Sequence, residues 1–197
     1  MDQAAWLREI LDREGIRRPV LVGQSMGGYV SQCFLELYPD VAGGFLSIDS
    51  APLQRRYVTA AEIWLLKRAG TIYRLYPWKQ LQKAGVIGCA CTGYGRRLMR
   101  SFLESYSKEE YCELAQHGYS MLAEAFEANL VYSIPCPAIL LCGEKDRAGS
   151  TKRYNKAWAK VSGLPLCWIK GAGHNSNTDC PDEVNRIIQE FLKRPDI

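Results

Sequence analysis

The stretch Val20-Leu21-Val22-Gly23-Gln24-Ser25-Met26-Gly27-Gly28 decides how the rest of the chain is read. Pro19 to Val22 is short, apolar and β-branched, as expected of a strand buried on both faces. From Tyr29 to Tyr38 the spacing of Val30, Cys33, Phe34 and Leu37 is helical, and Pro39-Asp40 closes that element. Between strand and helix stands Gly-x-Ser-x-Gly. A turn that sharp lifts the Ser25 hydroxyl above the strand ends and requires small neighbours at Gly23 and Gly27, while Gly28 lets the helix pack close to the sheet. The helix start directs free N–H groups and partial positive charge at the turn, which makes the Met26 N–H a donor for a developing oxyanion. Taken alone, such a turn could equally bind phosphate or merely connect two elements.

The surrounding chain alternates strand and helix. Residues 2–14 place Ala5, Trp6, Leu7, Ile10 and Leu11 on one helical face before Gly15. A second buried strand, Gly44 to Ile48, ends at Asp49. From about Pro52 to Ser133 the apolar residues recur at helical spacing, with breaks expected near Gly85, Gly88, Gly93 and Gly95. Strand signals resume at Pro137 to Cys142 and Leu166 to Ile169, and helices are expected at 151–161 and 182–193. Strands alternating with helices predict an α/β fold with a parallel sheet of about four strands. The length of 197 residues suits one domain.

A serine hydroxyl is a poor nucleophile at neutral pH and needs a base, commonly an imidazole held by a carboxylate. The chain has two histidines. His174, in Gly171-Ala172-Gly173-His174-Asn175, follows the strand ending at Ile169 and belongs to the same sheet edge as Ser25. His117 lies in a helical stretch away from strand ends and reads as a surface or core-edge residue. For the acid, Asp146 follows the strand ending at Cys142, with Asp49 as its rival and Glu144 as a third candidate. The order Ser, Asp, His agrees with a strand-turn-helix nucleophile.

These pieces together resemble the α/β-hydrolase superfamily, in particular esterase-like members with a helical cap. The resemblance extends from about residue 2 to 193. It implies a partial α/β-hydrolase core of residues 1–52 and 134–197, with residues 53–133 as a cap over the pocket. It also implies cleavage of a carboxylic ester, or a related acyl bond, through an acyl-enzyme on Ser25, His174 and Asp146. No metal or organic cofactor is needed for such a reaction. Gln24, Trp64, Tyr76 and Trp78 are expected to contact a small ester or acyl substrate. One departure is that only about 20 residues precede the turn, whereas the superfamily carries several strands and a His-Gly loop there. The strand at Pro19 to Val22 is therefore expected to be an exposed apolar edge, through which two copies could pair about a two-fold axis. A non-catalytic binding module of the same fold is the alternative.

Composition narrows the partners. Hydrophobic residues make up 47% and charged residues 23%, and the net charge of +4 comes from scattered residues and short pairs such as Arg17-Arg18. No basic and aromatic stripe of the kind that binds nucleic acid is present. The eight cysteines include no CxxC pair and read as reduced thiols. No apolar run has membrane-spanning length, and no secretory pattern opens the sequence, so a cytoplasmic location is expected.

Overall fold

The computed structural model describes residues 2–197, so Met1 of the expected first segment lies outside the described residues. Helix α1 (Asp2–Arg13) leads into strand β1 (Val20–Gln24), helix α2 (Met26–Leu37) and strand β2 (Gly44–Ile48). Five helices follow: α3 (Ala60–Leu66), α4 (Ala69–Arg74), α5 (Trp78–Cys89), α6 (Gly93–Glu104) and α7 (Lys108–Ala128). The chain then returns to β3 (Ala138–Gly143), α8 (Thr151–Ser162), β4 (Leu166–Ile169), the short α9 (Ser176–Asp179) and α10 (Pro181–Leu192).

The four strands form one sheet in the order β1-β2-β3-β4, every pair parallel. Register pairs Gln24 with Ile48, Ile48 with Leu141 and Gly143 with Ile169. All four strands therefore end at the same edge, and the loops carrying Ser25, Asp49, Asp146 and His174 emerge together. Successive side chains of a strand face opposite sides, which divides the core in two. Phe45 and Leu140 join Phe34 of α2 and Trp158 of α8 on one face. Leu46 and Leu141 meet Val184, Ile187 and Phe191 of α10 on the other. The first of these cores continues through Val58, Ile63, Leu122 and Phe126, tying the helical segment between β2 and β3 to the sheet.

Two helices of that segment begin on reciprocal caps, Thr59 with Glu62 for α3 and Ser107 with Glu110 for α7. The helices break between the expected glycines Gly88 and Gly93 rather than at them. Gly85 and Gly88 lie inside α5, and Gly93 and Gly95 lie in the opening of α6, so the chain turns at residues 90–92 instead. Packing accounts for Gly85, because a Cβ there would stand 3.1 Å from Leu103 of α6. β1 is the outer strand and has no further strand partner among the described residues. Val22, at its centre, is 45% exposed.

Candidate active site

Ser25 sits between β1 and α2 with φ 46° and ψ −111°, a left-handed conformation that a residue with a Cβ rarely adopts. Its N–H donates to Ile48 O at 2.7 Å, and its carbonyl accepts from Gly28 N at 3.0 Å, so the turn is held from both sides. A Cβ on Gly23 would lie 2.4 Å from the Gly27 backbone, so that glycine is a steric requirement of the turn. Gly28 similarly faces Ser50, 2.5 Å from where its Cβ would be. Gly27 is different: a Cβ there would meet nothing within 4 Å, so the expected need for a small residue does not hold at that position.

Ser25 Oγ lies 2.8 Å from His174 Nε2, and His174 Nδ1 lies 2.9 Å from Asp146 Oδ2. The Asp146 side chain is fully buried and that of His174 is 13% exposed, so water has little access to the pair. The other Asp146 oxygen accepts the Ala148 N–H at 2.7 Å, which fixes the carboxylate plane. Gly143, at the end of β3, makes this approach possible, since a Cβ there would overlap the Gly173 carbonyl at 1.9 Å.

The rival acids have other partners. Asp49 accepts Gly143 N at 2.7 Å and Ser176 N at 2.8 Å, and so joins the end of β3 to the loop after His174. Burial pushes its carboxyl up to about 6, against the lowering effect of these N–H groups. Glu144 accepts the N–H of Gly171 at 3.2 Å. Asp49, Cys142 and Asp146 lie close enough to share an ion, with ligand atoms within 4.8 Å of one another. Both carboxylates are, however, already hydrogen-bonded to the protein on each oxygen.

A cavity of about 410 Å³, within the usual range for small-molecule sites, opens beside Ser25. Met26, Tyr29 and Val30 of α2 line one side, and Leu114, Met121 and Leu122 of α7 line the other. Met26 also opens α2, where a helix leaves its first N–H groups without intrahelical partners. The expected contact residues are elsewhere. Trp64 is 52% exposed under the Arg68 guanidinium, and Tyr76 is likewise exposed. Trp78 packs on Tyr111 at 5.5 Å rather than facing the cavity. Gln24 donates to the His174 carbonyl at 3.0 Å. His117, read as a surface or core-edge residue, is on the cavity wall. The signal for that wall was the apolar stripe of α7, Leu114, Ala115, Met121, Leu122 and Ala125, at three- and four-residue spacing.

Residues 1–187 match the model of the alpha/beta hydrolase family. The chain is 22% identical to carboxylesterase YbfK of Bacillus subtilis strain 168 over 97% of its own length, and it spans 63% of that relative. Among solved structures it is similar to a thermophilic esterase from Thermogutta terrifontis, with a TM-score of 0.74 at 21% identity over 96% of this chain and 70% of that one. A carboxylesterase study of Nitrososphaera gargenis supplies a second similar structure, with a TM-score of 0.71 at 17% identity over 97% of this chain and 70% of that one. With the parallel sheet, the strained serine turn and the family match over nearly its whole length, the chain belongs to the alpha/beta hydrolase family.

Proposed function

We propose that the chain is a serine hydrolase that cleaves carboxylic esters through an acyl-enzyme. The observation that carries this reading is the unbroken hydrogen-bonded series from Ser25 through His174 to Asp146. Ser25 Oγ attacks the ester carbonyl carbon while His174 Nε2 takes the hydroxyl proton. Asp146 holds the proton on Nδ1, leaving Nε2 free to accept, and stabilises the imidazolium that forms. Met26 N–H donates to the carbonyl oxygen as it becomes anionic. When the carbon–oxygen bond to the alcohol breaks, His174 returns its proton to the leaving oxygen. Water then repeats the sequence on the acyl-serine, releasing the carboxylic acid and restoring the Ser25 hydroxyl.

Helices α3 to α7 act as a cap, and the apolar wall between α2 and α7 suits an acyl or alcohol group that is itself apolar. The names of the similar carboxylesterase and esterases agree with this class of reaction. The same reading assigns the β1 edge to a second copy of the chain, which would cover Val22. In Ser25→Ala, hydrolysis of a nitrophenyl butyrate ester should fall to background while the fold is kept, and labelling by a fluorophosphonate should be lost. Retained hydrolysis or labelling in the folded variant would overturn the assignment of Ser25, whereas a folded wild type that a fluorophosphonate does not label would favour a binding module.

A further inference from the structure

The two residues flanking His174 are both tied to the helical segment that lies over the sheet edge. The Gly173 N–H donates at 2.8 Å to Asp179 Oδ2, and the Asn175 N–H donates at 2.8 Å to the Cys89 carbonyl. Asp179 closes α9 and is itself buried, at 7% exposure. Its carboxylate reaches across to the turn between α5 and α6, where it accepts Cys91 N at 2.8 Å, Thr92 N at 2.9 Å and the Thr92 hydroxyl at 2.7 Å. Four donors, three of them backbone N–H groups, therefore converge on one side chain.

A carboxylate has about four acceptor sites, so this one is saturated. No lysine, arginine or histidine pairs with it among the described residues. A buried charge without such hydrogen bonds would be heavily penalised. Burial alone pushes the Asp179 carboxyl up, but the N–H groups of Gly173, Thr92 and Cys91 and the Thr92 hydroxyl outweigh it and hold it below its ordinary value. The fit also excludes side chains on both flanks. A Cβ on Gly95 would stand 2.3 Å from Asp179 Oδ1, and one on Gly173 would stand 2.9 Å from the Cys89 carbonyl.

We propose that Asp179 is a positioning residue for His174: it locks the histidine loop to the α5–α6 turn, so the imidazole is aimed at Ser25 only while that turn is docked. The Asp179 carboxylate touches neither Ser25 nor the imidazole in the hydrogen-bond network, and acts through the Gly173 N–H on one side of His174, while the Asn175 N–H on the other side is held by the Cys89 carbonyl. The proposal rests on the reading of His174 as the base. It differs from a purely stabilising role, which would lower the melting temperature and leave the orientation of the ring in the folded protein unchanged.

The test uses the full chain labelled with 15N-histidine. Only two histidines are present, and His117→Gln assigns the spectrum. In the wild type and in Ser25→Ala, the His174 Nδ1 proton held against Asp146 should give a slowly exchanging low-field signal. In folded Asp179→Asn that signal should be lost or broadened, and kcat for nitrophenyl butyrate should fall about 10- to 100-fold with little change in KM, because small misplacements of a reacting group cost rates of this size. Thr92→Val removes the hydroxyl that donates to Asp179 and also caps α6 by accepting the Gly95 N–H, and it should shift both readings the same way, with a fall in kcat of about fivefold. A wild-type signal and wild-type kcat in folded Asp179→Asn would overturn the proposal. If that variant does not fold, unchanged readings in Thr92→Val would do so. Should hydrolysis survive Ser25→Ala, the functional reading falls, and the ring signal still decides the role of Asp179.

Discussion

Asp49 and Asp146 bring carboxylate oxygens within 4.8 Å of each other, yet only Asp146 meets the imidazole of His174. Asp49 has both oxygens engaged by backbone N–H groups on either side of the site. The two carboxylates should therefore respond differently to the same substitution. Asp146→Asn should lower kcat by about 10²- to 10⁴-fold with the fold intact, because the amide no longer holds the tautomer that leaves Nε2 able to accept. Asp49→Asn should cost about 1–3 kcal/mol of stability, since its amide group confronts one of two buried N–H donors, with the smaller effect on kcat. Urea unfolding and steady-state kinetics on both variants check this. A larger kinetic loss in Asp49→Asn would exchange the two roles.

Asp49 also gives stability a pH dependence of definite sign. Its folded value, about 6, lies above its ordinary 3.8. Between these values the unfolded chain has released the proton that the folded protein still holds, so stability from this group is present below about pH 4 and is lost as pH rises to about 6. The slope is at most about 1.4 kcal/mol per pH unit. Glu62 behaves in the opposite sense. Burial acts to raise it, but hydrogen bonds from Tyr154, Thr59 and Ser150 prevail and lower it from 4.5 to about 2. Its contribution is lost as pH falls through that lower window, and it is reduced by solvent screening at a part-exposed site. Urea midpoints measured from pH 3 to 7 should show the advantage of wild type over Asp49→Asn narrowing between pH 4 and 6. A constant or widening gap would contradict the assignment.

The outer edge of β1 offers backbone N–H and C=O groups beside an exposed Val22. Pairing with the same edge of a second copy would satisfy both at once. Light scattering after size exclusion should give about twice the chain mass at micromolar concentration. Val22→Glu should shift the population to monomer, because it would place like charges across the two-fold contact. A monodisperse wild-type monomer would show that this edge does not pair.

The parallel strands and the serine turn were readable because parallel strands buried on both faces are continuous apolar runs, each ended by a polar loop. Ser25, Asp146 and His174 each follow such a run, which is why residues 149 apart could be assigned to one sheet edge. The cavity wall was harder to read. Trp78 was expected to line the cavity, but it packs with Tyr73 around Tyr111, and of these three only Tyr111 reaches the cavity wall. The apolar stripe of α7 marks the face to be buried, but that it meets α2 across the cavity is set by packing between distant segments. Asp179 was hidden for a related reason. An aspartate just ahead of Cys180-Pro181 looks like an ordinary acidic residue near a helix start, and three of the four donors it collects lie 87 or 88 residues away.

The strain at Ser25 should be measurable as stability withheld from the fold. At φ 46° and ψ −111° the backbone suits glycine and penalises any residue with a Cβ, by about 1–3 kcal/mol. Comparing Ser25→Gly with Ser25→Ala isolates this cost, because both remove the 2.8 Å contact with His174 and both should abolish hydrolysis. Glycine also gains about 0.5–1 kcal/mol of freedom in the unfolded chain, which offsets part of the relief. The net expectation is that Ser25→Gly is more stable than Ser25→Ala by about 1 kcal/mol, or about 2–4 °C in Tm for a chain of this size. Calorimetry of the two inactive variants checks it. A glycine variant less stable than the alanine variant by about 0.5–1 kcal/mol, the full entropic offset, would mean that the turn holds its serine without strain and that the bonds to Ile48 and Gly28 carry no such load.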